Sequence, residues 1–323
     1  MYKSERPLPD GQFVVAVGAA NMDVSAATRT PLASHDSTPG EIHCAAGGVA
    51  RNVSENLARL AVDVRLITVV GDDVFGARLR DETCQVGVNV DAMRTLPGQR
   101  TASYMAIHGP AGDMAVAVND MAILECLTPA ALEPYATLLE RASCIVLDCN
   151  LTAQSLDWLM DRFKTLPIFV DGVSVVKCTK VVAMLGRIHT LKVNLFEAQA
   201  LSGLPGESID SARRCARRLH EMGARQVVVS LGAEGVCWCD ADGVVGYQSA
   251  SSGLEIVSTT GAGDALLAGL VQAYLQGKTL PDAVQWAVAC AELTLGSRNA
   301  NSPALSTQTL MARLAATSAT PSV

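Results

Sequence analysis

The sequence predicts an α/β fold, a three-layer α/β/α sandwich with a mostly parallel central sheet, plus a small β-sheet lid. Apolar runs typical of buried strands alternate with helical patterns along most of the chain. The 323 residues are 49% hydrophobic and 18% charged, which is enough to bury a sizeable core. Two stretches, 39–46 and 101–119, interrupt the alternation and have mixed faces, so we assign them to the lid.

The elements follow in order along the chain. Strand-like runs occupy 13–19, 64–70, 144–147, 168–170, 190–193 and 226–230, and a β-branched run ends at Val257. Helical patterns occupy 53–60, 129–141, 153–163, 209–221 and 265–275. In the second lid stretch, "TASYMAIH" and "DMAVAVND" flank the turn "GPAG", which predicts a hairpin. We expect an N-terminal tail over 1–12, one domain over 13–315 and a flexible C-terminal tail over 316–323.

Composition limits the classes of partner. The net charge of −7 opposes general binding to nucleic acid or acidic membranes, whereas small anionic ligands stay compatible with a local basic pocket. The ten cysteines have no CxxC spacing, and Cys44, Cys144, Cys215 and Cys290 lie in apolar segments, so we expect reduced, structural thiols. The polar start "MYKSERPLPDGQ" and the lack of a long apolar run predict a cytoplasmic protein.

The segment "STTGAGDALLAGL", 258–270, places Asp264 at the predicted start of a helix, after a loop of small residues. The first backbone N–H groups of a helix have no partner within the helix, and glycines let a ligand approach them closely. The loop therefore suits an anion such as a phosphate. A plain helix cap after a Gly-rich turn is the alternative interpretation of Asp264.

Four further polar segments lie near strand ends, where a doubly wound sheet binds its ligands: "GAANMD", "AAGGVARN", "KVNLFEA" and "SLGAEG". The first three also have structural interpretations. Asn21 and Asp23 could form an Asx turn, Gly47 and Gly48 a plain turn, and Asn194 a helix cap. In the last case Glu197 would complete a capping box.

The order of these motifs resembles that of the ribokinase-like (PfkB) family of carbohydrate and nucleoside kinases, from about Val14 to Ser297. Within that family, "NVSENLARL", "VVGDDVFG", "AVNDM", "VSVVKCTKV", "HTLKVNLFEAQALSG" and a late "NSP" are most similar to pseudouridine kinases. The resemblance implies ATP-dependent phosphorylation of the 5′-hydroxyl of pseudouridine, giving pseudouridine 5′-phosphate and ADP, in nucleoside catabolism. A kinase for another nucleoside or a free sugar such as ribose is the alternative.

The resemblance also implies roles for residues. Asp264 would be the catalytic base, because a positioned carboxylate can accept the proton of the attacking hydroxyl. The anion hole would be Gly261, Ala262 and Gly263. The sugar would contact Asn21, Asp23, Gly47, Gly48 and Asn52. Candidates for the base are Ser103, Asn119, Lys177 and Asn301, with Tyr104 as either core or stacking surface and Lys177 as either ligand contact or solvated helix face.

On the nucleotide side, the resemblance assigns ATP to Asn194, Ser230, Gly232, Gly235 and Thr260. Asn194 and Glu197 would organise Mg²⁺ through water, since this ion gives up its hydration reluctantly. Ser258 stands where many relatives have an aspartate that helps to bind a monovalent cation, which makes dependence on K⁺ uncertain. The lid resembles one that forms a homodimer in the family.

Two other classes fit the sequence less well. A ligand-binding regulator on the same scaffold would need no base, yet the base, the anion loop and the Asn194–Glu197 pair occur together. A Rossmann dehydrogenase would carry GxGxxG after its first strand, where this chain has "GAANMD".

Overall fold

The computed structural model describes residues 11–318. Its strands are β1 Val14–Val17, β2 Asn21–Thr28, β3 Gly40–Gly47, β4 Val64–Gly71, β5 Met93–Leu96, β6 Ser103–His108, β7 Met114–Asp120, β8 Cys144–Asp148, β9 Ile168–Asp171, β10 Thr190–Asn194, β11 Gln226–Ser230, β12 Val236–Cys239 and β13 Val245–Gln248. Its α-helices are α1 Val49–Arg59, α2 Val74–Gln85, α3 Pro129–Leu132, α4 Ala136–Glu140, α5 Ala153–Arg162, α6 Val175–Cys178, α7 Leu195–Ser202, α8 Ile209–Glu221, α9 Ala262–Leu275, α10 Leu280–Leu295 and α11 Thr307–Ser318.

The large sheet has the order β13-β12-β11-β10-β9-β8-β1-β4-β5, and only the β11–β12 and β12–β13 pairs within it are antiparallel in the described residues. Alternate strand residues face opposite sides, so each face needs its own helical cover. Residues of α1, α9 and α10 share one buried cluster with one face, and residues of α5, α7 and α8 share a second cluster with the other. The predicted three-layer sandwich is confirmed.

The lid is a separate sheet with the order β3-β2-β6-β7. β6 and β7 form the predicted hairpin, and β3 matches the predicted stretch 39–46. The strand β2 was not predicted, although its sequence NMDVSAAT alternates polar with apolar residues, because its first residues were assigned to a polar segment or turn after the first strand. Pairing with β3 on one side and β6 on the other fixes it as a strand, so the Asx turn considered for Asn21 and Asp23 is wrong.

Three other expectations need correction. The strand predicted to end at Val257 is absent: Ile256 and Val257 are exposed, and the Val257 N–H donates to the carbonyl of Leu295 instead of a strand partner. The helix predicted over 129–141 is divided into α3 and α4 by a 3₁₀ turn that contains Pro134. The strands β5, β12 and β13 and the helices α2, α10 and α11 were not predicted.

At the ends of the chain, α11 extends to Ser318, three residues into the segment expected to be a flexible tail. The rest of that tail, and residues 1–10 of the N-terminal tail, lie outside the described residues. All ten cysteines are free, and Cys144, Cys215 and Cys290 are buried as small apolar side chains. Within residues 11–318, no helix combines the length and the apolar character that crossing a membrane requires.

Candidate active site

The loop before α9 has a geometry that only glycine tolerates. Gly261 is the N-cap of α9 and has a left-handed backbone with φ of 80°. A Cβ at this position would overlap the carbonyl oxygen of Ala300. The turn brings the first residues of α9 to the carboxyl edge of the large sheet, with Asp264 in the first helical turn. Gly261, Ala262 and Gly263 thus form the start of a helix, the arrangement that favours an anion.

Asp264 lies between α1 and the sheet. The side-chain amide of Asn52, on α1, donates a 2.8 Å hydrogen bond from Nδ2 to Oδ2 of Asp264. Burial and, to a lesser extent, the neighbouring Asp171 raise the pKa of Asp264 to about 7, although Lys192 and the Asn52 hydrogen bond oppose the rise. A carboxyl group whose pKa is close to neutrality can both accept and release a proton under physiological conditions.

The register of the lid strands places several polar side chains on one face of the lid. Asp23 pairs with Tyr104, and Tyr104 with Asn119, so these side chains share one face with Asn21. The Asn21 amide donates a 2.6 Å bond to Asp23, and burial raises the pKa of that carboxyl. Ser103 pairs with Met22 and therefore lies on the opposite face. Asn119 and Ser103 cannot reach one ligand from the same side of the lid.

Two glycines next to β2 allow segments of the backbone to approach each other closely. A Cβ on Gly47 would overlap the carboxylate of Asp23. Gly48 has φ of 99°, and a Cβ there would lie 2.5 Å from the carbonyl oxygen of Ala19. Gly48 therefore requires glycine, whereas a side chain at Gly47 would displace the Asp23 carboxylate, and together they bring the start of α1, with Asn52, next to Asn21 and Asp23 of β2.

The two remaining candidates for contact with the nucleobase, Asn301 and Lys177, form hydrogen bonds with other residues of the chain. The buried Asn301 accepts a 3.0 Å bond from Arg51 at Oδ1 and donates a 2.9 Å bond from Nδ2 to the Asn52 carbonyl. It thereby supports the residue that binds Asp264. The Lys177 ammonium donates a 2.7 Å bond to Asn150, after the end of β8. Their contact with a base stays a prediction.

Asn194 and Glu197 form the capping box considered for them. Asn194 Oδ1 accepts from the Glu197 N–H at 2.9 Å, and Glu197 Oε2 accepts from the Asn194 N–H at 2.9 Å. Glu197 Oε1 also accepts a 2.7 Å bond from the Asn194 side chain. Burial raises the pKa of the Glu197 carboxyl. The capping role of Asn194 and Glu197 is confirmed. Their role in organising Mg²⁺ stays a prediction.

The fit to Mg²⁺ can be judged from the donors present. In the described part of the chain, no group of three or more His, Cys, Asp and Glu side chains is placed to hold a metal ion. Mg²⁺ usually keeps several waters and binds one or two carboxylates together with substrate phosphates. A single capped carboxylate such as Glu197, next to an anion loop, fits that water-mediated mode and does not fit a full protein cage.

The residues predicted to bind ATP lie at the ends of β10 and β11, in the loop after β11 and before α9. Ser230 ends β11 and is in register with Asn194 at the end of β10. The loop that follows contains Gly232 and Gly235, with φ of 59° and 105°, and a Cβ on Gly235 would overlap the carbonyl oxygen of Gln248. Thr260 is exposed directly before Gly261, and its N–H donates to the Ser258 hydroxyl at 3.2 Å.

Three charged residues near Asp264 were missed from the sequence. Asp148 ends β8 and accepts backbone N–H bonds from Ala19 at 2.8 Å and Ala50 at 3.0 Å. Asp171 ends β9 and accepts a 2.9 Å bond from the ammonium of Lys192, on β10. The available signal was the presence of a charged residue at the end of, or within, an otherwise apolar strand.

Comparison with known proteins shows the family of the chain. The family described as pfkB family carbohydrate kinase matches residues 12–308. The chain is 38% identical over 294 residues to the pseudouridine kinase of Escherichia coli K12, covering 91% of this chain and 94% of that protein. It is 39% identical over 299 residues to an uncharacterized sugar kinase, YeiI, of the same strain, covering 93% and 82%.

A solved structure extends the agreement to three dimensions. Arabidopsis thaliana ribokinase superimposes with a TM-score of 0.83 at 21% identity, covering 94% of this chain and 99% of that one. This likeness confirms the ribokinase-like architecture. Together with the match over most of the sequence, it establishes that the chain belongs to the pfkB family of carbohydrate kinases.

Proposed function

We propose that this kinase transfers the γ-phosphoryl group of ATP to the 5′-hydroxyl of pseudouridine. The observation that carries the proposal is Asp264 at the N-terminus of α9, bonded to Asn52 beside the sugar-side residues of the lid. The identity to a pseudouridine kinase supports the acceptor. The equally high identity to a sugar kinase supports the alternative, another nucleoside or a free sugar such as ribose.

The mechanism follows from the placement of these groups. The oxygen of the 5′-hydroxyl forms a bond to the γ-phosphorus while Asp264 accepts the hydroxyl proton. At the same time the bond between the γ-phosphorus and the bridging oxygen breaks, and that oxygen leaves with ADP. Asn52 fixes the orientation of the carboxylate through its 2.8 Å bond. The N–H groups at the start of α9 stabilise the charge on the transferring group. Bound Mg²⁺ would neutralise phosphate charge near Asn194 and Glu197.

The proposed nucleotide side is consistent with a relative of the same fold. Arabidopsis ribokinase was solved in complex with ribose and ATP. Here the residues assigned to ATP, Asn194 and Ser230, end adjacent strands, and Thr260 precedes the anion loop. We therefore place the triphosphate between the ends of β10 and β11 and the start of α9.

Selectivity for pseudouridine requires a group that faces the base. Pseudouridine and uridine share their ribose, so Asp23, Asn52 and Asp264 cannot distinguish them. Asn119 lies on the Asp23 face of the lid and is our choice for the extra ring N–H of pseudouridine. A partner left unpaired when uridine binds costs about 1–3 kcal/mol, or roughly 5- to 150-fold in kcat/KM.

The test is a competition assay of pseudouridine, uridine and ribose with ATP and Mg²⁺. We expect pseudouridine to be preferred over uridine within that range, and ribose to be poorest because it lacks the base contacts that favour lid closure. Equal kcat/KM for the two nucleosides would refute the assignment. Asn119→Ala should narrow the preference, and Ser103→Ala, on the other face of the lid, should narrow it less.

A further inference from the structure

A buried ion pair lies directly beneath the anion loop. Lys192 and Asp171 are in register on the neighbouring strands β10 and β9. Their Nζ and Oδ2 atoms are 2.9 Å apart, and the residues are only 7% and 2% exposed. Burying a charge pair to this extent costs desolvation energy that good geometry and further hydrogen bonds only partly offset, so stability alone is a weak reason for its presence.

The pair is fixed on both sides. The second carboxylate oxygen of Asp171, Oδ1, accepts a 2.8 Å bond from the N–H of Val173. On the loop side, a Cβ built on Gly263 would lie 2.6 Å from the Lys192 ammonium nitrogen. The ammonium therefore sits against the residue immediately before Asp264, and Gly263 has no room for a side chain because Lys192 occupies that space.

The charges that face Asp264 do not balance without this lysine. Asp148 approaches from β8 and Asp171 from β9, and both raise the pKa of Asp264 in addition to its burial. Lys192 from β10 lowers that pKa, and α1 contributes the neutral amide of Asn52. Removing Lys192 would leave three clustered carboxyl groups, and repulsion between like charges favours protonation of one of them.

We propose that Lys192 is a positioning residue for phosphoryl transfer: held by Asp171, its ammonium keeps Asp264 in the ionised form that accepts the proton of the acceptor hydroxyl. This inference rests on the proposed role of Asp264 as the base. It does not depend on which acceptor is phosphorylated. It assigns the pair opposite electrostatic effects on Asp264, because Lys192 favours its negative charge and Asp171 opposes it.

The experiment measures the pH dependence of kcat/KM, whose acid limb reports the essential base of the free enzyme. Lys192→Met should move the midpoint of this limb to higher pH by about one unit or more, so kcat/KM falls at least about fivefold at pH 7 and recovers towards pH 9. Asp171→Asn should move the midpoint to lower pH. The double variant should return it towards the wild-type value.

A matched control is Lys180→Met. Lys180 bonds to the carbonyl oxygens of Cys149 and Leu151, and Asp264 is not among the charges that shift its pKa. We expect its acid limb to stay in place. A uniform loss at every pH in Lys192→Met, or shifts of the two single variants in the same direction, would overturn the proposal. If Lys192→Met fails to fold, the double variant, which leaves no unpaired member of the buried pair, replaces it, and its midpoint must then lie at higher pH than that of Asp171→Asn.

The results that would contradict the proposed function differ from those that would contradict the role of Lys192. All assays use whichever acceptor the wild type phosphorylates, so an acceptor other than pseudouridine contradicts the substrate and leaves the pH shifts informative. Near-normal turnover of Asp264→Asn would contradict the base itself. A carboxyl ¹³C NMR titration of the free protein, assigned with Asp264→Asn, gives the same shifts without any acceptor.

Discussion

At Asp264 the requirements of stability and of catalysis oppose each other. Burial raises its pKa from an ordinary 3.8 to about 7. Because the folded chain then holds this proton more tightly than the unfolded chain, the group contributes stability that is complete below about pH 4. That contribution is lost as the pH rises towards 7. At neutral and alkaline pH the fold therefore bears the cost of a buried negative charge.

Asp264→Asn should consequently inactivate the enzyme and stabilise the fold under alkaline conditions. The amide cannot accept the proton, so kcat should fall by roughly 10²- to 10⁴-fold. The melting temperature at pH 8 should rise by about 1–2 °C for each kcal/mol of removed charge burial, and the gain should vanish near pH 4. Calorimetry at both pH values checks the second effect, and an unchanged melting temperature at pH 8 would contradict it.

Single residues also show where sequence analysis stops. Asp264 and Asn52 lie in recognisable motifs, and the structure joins them by a hydrogen bond. Lys192 was missed because a lone lysine in an apolar run gives no sign of its partner, and Asp171 is 21 residues away in the sequence. The ion pair exists only because β9 and β10 are neighbours in register, which is a property of the folded sheet.

Helix starts are the elements that organise this site. At α7, Glu197 both caps the helix and is proposed to act on Mg²⁺. Glu197→Gln keeps the shape but places an NH₂ group against one of two N–H donors, so we expect a loss of about 0.5–2 kcal/mol from the cap. We also expect a several-fold higher Mg²⁺ concentration for half-maximal activity, because negative charge near the ion is removed.

The capping box of α8 provides the control for this variant. Ser208 and Ser211 form the same reciprocal pair of bonds in that helix. Ser211→Ala should lower the melting temperature while leaving the Mg²⁺ titration unchanged. If Glu197→Gln behaves in the same way, with stability reduced and the titration unaltered, Glu197 is a cap and nothing more.

At α9 the critical feature is the backbone of Gly261. Gly261→Ala must bear both a left-handed conformation and an overlap with the Ala300 carbonyl oxygen. Gly253 has a similar φ of 73° with nothing within 4 Å of an added Cβ, so Gly253→Ala bears the conformational cost alone, about 1–3 kcal/mol. The melting temperature and kcat should both be lower for Gly261→Ala than for Gly253→Ala. Equal values for the two variants would show that the overlap with Ala300 is relieved at no cost.

Elements differ in how well the sequence predicts them. The buried parallel strands β8 and β11 are continuous apolar runs and were predicted within a residue of their ends. The strand β2 alternates polar and apolar residues but follows β1 so closely that its start was assigned to the segment after that strand, and β13, VGYQ, is too short to show a period. Their strand character depends on neighbours that the fold supplies.

At the scale of the whole molecule, the lid leaves an apolar surface uncovered. Ile42, Met105, Val116 and Val118 are 71%, 49%, 48% and 65% exposed. The register of β2, β3, β6 and β7 places all four on the face opposite Asp23 and Asn119. Apolar residues clustered on one face in this way commonly mark a surface that another protein covers. The sequence predicts the hairpin but not this grouping, which requires the pairing of four strands.

We predict that the uncovered face of the lid joins two copies of the chain as a homodimer. A two-fold axis would place the same four apolar side chains from each copy against each other, and burying the exposed part of each contributes about 1–2 kcal/mol. Val118→Asp would put a charge in that interface and should give a monomer of 33.8 kDa by light scattering at micromolar concentration. Val244→Asp is the control, since Val244 is 55% exposed but lies outside the lid. Val244→Asp should leave the dimer intact. A wild-type chain that is already monomeric at micromolar concentration would rule out the lid interface.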